Sequence, residues 1–133
     1  MNVSEIRGMK ADLAGKFKAK GIATDEALLK AAKTPAQRKE LSAAVGLDAS
    51  VILEFANRAD LARIVGIGEV FADLLENAGV DTVKELSKRV PENLLAKITE
   101  VNAAKKLAGR LPTLDQIKDW VEQAKKLPKV LEY

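Results

Sequence analysis

The feature that most narrows the fold is an internal echo. Displacing the chain by 58 positions lays residues 6–29 over residues 64–87 without a gap, and six of these 24 positions are identical: Ile6/Ile64, Gly8/Gly66, Ala14/Ala72, Gly21/Gly79, Thr24/Thr82 and Leu28/Leu86. Met9/Ile67, Leu13/Phe71, Phe17/Leu75 and Ile22/Val80 are conservative exchanges. The matches fall on glycines, a threonine and apolar positions, which a repeated backbone path requires, while solvent-facing positions differ. Such a chain uses one folding unit twice.

Each copy reads as helices divided by clear stops. Ile67, Phe71, Leu74, Leu75 and Ala78 recur at helical spacing, with Glu69, Asp73, Glu76 and Asn77 on the other side. Gly79-Val80 and Gly21-Ile22 then follow the glycine-apolar pattern of a helix C-terminus. Thr82 opens the next helix, and Thr82 with Glu85 fits a capping box; Thr24 is the matching cap, followed by Asp25 and Glu26 where the helix dipole favours negative charge. Thr34, Pro35 and Gln37 start a further helix that Gly46 stops, and Asp48 caps the one after it.

That helix has Val51, Ile52, Phe55, Ala59 and Ala62 on its apolar face. Its counterpart begins at Thr113, carries Ile117, Trp120, Val121, Ala124 and Leu127, and closes at Pro128. Phe55 and Trp120 correspond at an offset of 65, which leaves seven extra residues in the second copy, placed around residues 102–110. Trp120 is read as a core anchor. No run alternates β-branched or aromatic residues with polar ones, so the chain is expected to be all-α. The expected organisation is one compact domain over residues 1–133, made of two repeats, about 1–61 and 62–133.

Composition removes much chemistry. The chain has 22 Lys or Arg against 19 Asp or Glu, and neither His nor Cys. Ser-His and Cys-His nucleophile systems, the usual structural zinc sites, disulfides and imidazole switches are thereby excluded. Any catalysis would rest on carboxylates and lysines, and no pair of them is set for it, so a non-enzyme without cofactor is expected. Glu69, Asp73 and Glu76 form an acidic stripe that reads as a solvated helix face, and no metal is expected there. No stretch approaches the roughly 18 apolar residues of a membrane span, and the start MNVSEIRGMK has no long apolar run. A cytoplasmic protein without a membrane partner is the expectation.

The sequence Leu61-Ala-Arg-Ile-Val-Gly66-Ile67-Gly68-Glu69 sets an apolar residue between two glycines, after one helix and before another. It resembles a helix-hairpin-helix. Gly66 would take positive φ in a short turn, Ile67 would enter the core, and Gly68 would leave the N–H groups of the next helix uncovered. That resemblance implies a phosphate held at the helix end, with nucleic-acid backbone contacted irrespective of sequence. The segments NRADLARIVGIGEVFADLLENAGVDTVKEL, PENLLAKITEVNAAKKL and WVEQAKKLPKVLEY extend the likeness: the whole chain resembles the bacterial family named domain of unknown function 4332, which implies two tandem helix-hairpin-helix units. In the first unit, Gly8-Met9-Lys10 lacks the second glycine.

Two functional readings remain open. In one, DNA or RNA backbone is held by Gly8, Lys10, Lys16 and Lys20 at the first turn and by Gly66, Ile67 and Gly68 at the second. Residues 1–20, with five basic and two acidic side chains, are the most basic stretch. In the other, the glycine turns only pack helices, Glu69 stabilises a helix dipole, and the chain is a scaffold for a protein partner. Val130, Leu131 and Tyr133 would then pack on a neighbouring molecule.

Overall fold

Threonine hydroxyls set where four of the eight helices begin. The computed structural model describes residues 1–133 as a 3₁₀ turn, Val3–Glu5, followed by α1 (Ala11–Ala19), α2 (Asp25–Ala31), α3 (Pro35–Val45), α4 (Ala49–Leu61), α5 (Glu69–Asn77), α6 (Val83–Ser87), α7 (Pro91–Lys105) and α8 (Leu114–Lys126). The chain is all-α. Thr24, Thr34, Thr82 and Thr113 each accept the N–H of the residue three further on, from Ala27, Gln37, Glu85 and Gln116 respectively, which satisfies one orphan donor per helix. Gln37 and Gln116 return the bond to the threonine main chain and complete two capping boxes. Glu85 does not. Its carboxylate takes the Arg89 guanidinium at 3.0 Å, so the expected box at Thr82 is only half made.

The helix bounds repeat as the sequence does. α1 and α5 occupy positions 58 apart along their full nine-residue lengths, α2 and α6 start 58 apart, and the 13-residue α4 and α8 coincide at 65. The difference arises largely at α7, which has 15 residues where α3 has 11, and in the connection after it. Asn102 holds that connection: its side-chain amide donates to Ala108 O at 3.0 Å and accepts from Ala108 N at 2.9 Å.

The chain divides into two compact units, Met1–Asp60 with Val130–Tyr133, and Leu61–Lys129. In the first, Phe17, Leu28, Ile52, Phe55 and Ala59 are core residues. In the second, their counterparts Leu75, Leu86, Ile117, Trp120 and Ala124 are buried in turn, and Trp120 meets Phe71 with ring centroids 5.4 Å apart.

Two features differ from the sequence reading, and a third is new. Asp73, read as part of a solvated acidic face, is buried. Leu131, which the alternative scaffold reading would pack on a neighbouring molecule, is 2% exposed within the core of the first unit. Arg38, at 4% exposure, is the deepest buried cation: its guanidinium donates to Ala32 O, Lys33 O and Glu132 O, so a buried charge is satisfied wholly by main-chain carbonyls. In the same unit, the Met1 ammonium donates to Asp25 at 2.8 Å. That bond raises the ammonium pKa above its ordinary 8.0.

Candidate functional site

The two glycine turns are built alike. Gly8 and Gly66 have φ of +89° and +101°, and each precedes by two residues the N-cap of a helix, Lys10 for α1 and Gly68 for α5. Neither N-cap offers a side-chain acceptor to the first helical turn, unlike the four threonine-capped starts. The need for glycine differs along the turn. A Cβ on Gly66 would lie 2.9 Å from Trp120 Nε1, whereas one on Gly68 would meet nothing within 4 Å. Gly68 has φ of −99° and ψ of −164°, extended backbone of the kind Lys10 adopts at the matching place with −79° and 155°. Losing the second glycine in the first turn therefore preserves the helix start.

Ile67 is buried in the core of the second unit, so its side chain anchors the turn and faces no ligand. Val65 beside it is 79% exposed. Its main chain is nevertheless fixed, because the Gln123 amide donates to Val65 O at 3.0 Å and accepts from Val65 N at 2.9 Å. The first turn has the same device in other chemistry: Arg58, at the position corresponding to Gln123, donates to Arg7 O, at the position corresponding to Val65. Sequence reasoning missed both clamps. The signal was present only as two polar residues one turn from Phe55 and Trp120 on the fourth helix of each unit.

Of the basic candidates, Lys10 and Lys16 come together. They border a cavity of about 270 Å³ with Gly8, Asp12 and Leu13, against Val45, Gly46, Leu47, Val51 and Phe55 from the end of α3 and from α4. Two lysines and one aspartate thus share this lining with apolar residues. Lys20 is set apart as the C-cap of α1, roughly 14 Å along the helix axis from its start. Glu69 is exposed as the first residue of α5, where its charge suits the helix dipole and opposes an incoming anion.

Fold and turns together define a small all-α protein with two helical units whose first and last helices coincide in length. The chain belongs to the family described as Domain of unknown function (DUF4332), whose family model matches residues 7–127. Searches of the curated proteins and of the solved structures return no match.

Proposed function

We propose that this chain is a non-enzymatic binding module of two helix-hairpin-helix units that contacts nucleic-acid backbone without reading its sequence. The observation that carries this reading is the paired lack of a side-chain cap at α1 and α5, each behind a positive-φ glycine. First-turn N–H groups with no internal partner, at the positive end of the helix dipole, suit an external oxyanion. Lys10 and Lys16 add positive charge at the first turn. The second turn is poorer electrostatically: at an effective dielectric of 20 and about 6 Å, Glu69 would repel a phosphate by ~3 kcal/mol before screening.

Titrating labelled duplex and single-stranded DNA over a range of salt concentrations tests the reading. Wild type should bind more weakly as salt rises. Glu69→Lys should tighten binding about tenfold and steepen the salt slope by roughly one contact, and Lys10→Glu should do the reverse. Affinities that stay negligible for all three proteins at about 50 mM salt would end the nucleic-acid reading. One observation favours a second reading, as a protein-interaction scaffold: Val65 presents an exposed apolar side chain on a main chain held still by Gln123. A partner protein would then dock on that tip, and Val65→Lys would abolish the docking.

A further inference from the structure

The two units treat one place in their shared plan differently. In the second, Phe71 and Trp120 meet with ring centroids 5.4 Å apart, and Leu74 is 1% exposed in the same core. At the corresponding positions the first unit has Leu13, Phe55 and Lys16, two smaller side chains and a charged one, and there it holds the cavity of about 270 Å³. The ring also stands further from the turn in the first unit. A Cβ on Gly66 would lie 2.9 Å from the Trp120 indole, whereas one on Gly8 would lie 3.6 Å from the Phe55 ring. We infer that this cavity is a binding site for a small organic monoanion, an apolar carboxylate on the order of ten non-hydrogen atoms.

The lining sets that class. Leu13, Val45, Leu47, Val51 and Phe55 are buried or half-buried, while Lys10, Asp12 and Lys16 are exposed. A ligand seated there meets apolar surface inside and charge where the cavity meets solvent. Two lysines against one aspartate leave a surplus of one positive charge, and no other charged residue lines the cavity. An inorganic anion would leave the apolar lining unused, and a neutral apolar molecule would leave the surplus charge unanswered. The volume equals roughly nine waters, which sets the size of the ligand. The inference goes beyond the nucleic-acid reading and does not rest on it, because Lys10 and Lys16 serve here as part of a cavity lining.

A titration without nucleic acid tests it, so its outcome is independent of that reading. Isotope-labelled full-length protein is titrated with hydrocinnamate, with hydrocinnamamide as the same apolar body without charge, and with acetate as the headgroup alone. Hydrocinnamate should give saturable amide shifts confined to residues 8–16 and 45–55, with Kd in the millimolar range or tighter. The amide should bind about fivefold more weakly, and acetate should not saturate. Leu13→Phe installs the second unit's residue and should weaken hydrocinnamate binding about tenfold or more by filling the cavity. Lys10→Gln combined with Lys16→Gln alters only exposed side chains, so it tests the inference even if Leu13→Phe does not fold. This double variant should lose the preference for the acid over the amide. Shifts that fail to saturate or fall elsewhere, equal wild-type affinity for acid and amide, or a preference that survives the double substitution overturns the inference. Full affinity in a folded Leu13→Phe protein does the same.

Discussion

At the scale of single residues, Gly66 is the position where backbone and packing demands coincide. Its φ of +101° strains any side chain, and a Cβ there would press on the Trp120 indole at 2.9 Å. Gly66→Val should cost about 2 to 4 kcal/mol, combining strained backbone with overpacking. Gly68→Ala should stay within about 0.5 kcal/mol, because its backbone is extended and its surroundings open. Chemical denaturation of the two variants checks the contrast, and equal losses would contradict it. Backbone conformation and the position of Trp120, 54 residues from Gly66, together separate the two glycines.

At the scale of elements, completed and half-made caps respond differently to the loss of their fourth residue. Gln37→Ala removes the acceptor of the Thr34 N–H and should cost about 1 kcal/mol. Glu85→Ala removes only a partly exposed pair with Arg89 and should cost a few tenths of a kcal/mol. Thermal melts of both proteins measure the difference. These elements were legible because their signals are local: a threonine, its N–H partner three residues on and a terminating glycine lie within one helix of each other, and a residue-by-residue reading finds them. Contacts that cross the chain were not legible. Periodicity set Asp73 on a polar face, but it is buried; Arg38 and Leu131 carry no local mark of meeting through residues 33 and 132; and Gln123 reaches a turn 58 residues away. For the candidate site, the turn glycines and Lys10 could be found by alignment of the chain on itself, whereas the approach of Lys16 to Gly8 depends on how α1 packs against α3 and α4.

At the scale of the whole molecule, composition and one terminal bond shape the response to pH. With neither His nor Cys, no side chain of ordinary pKa titrates between about pH 5.5 and 7.5, so stability should be level across that range. Above it the Met1 ammonium matters. Its folded pKa is raised by Asp25, so its contribution is present in full below 8.0 and is lost as pH climbs through the raised value. Denaturation midpoints should be flat from about pH 6 to 7.5 and then decline, and Asp25→Asn should flatten the alkaline limb at some cost to stability at neutral pH. The burial of Trp120 has a consequence for how the molecule is observed. It is the one tryptophan, 1% exposed in the core of the second unit, while the one tyrosine, Tyr133, is held in the first unit by Asn57. Each unit therefore carries its own natural chromophore, and tryptophan emission excited where tyrosine does not absorb reports on residues 61–129 without attaching a dye.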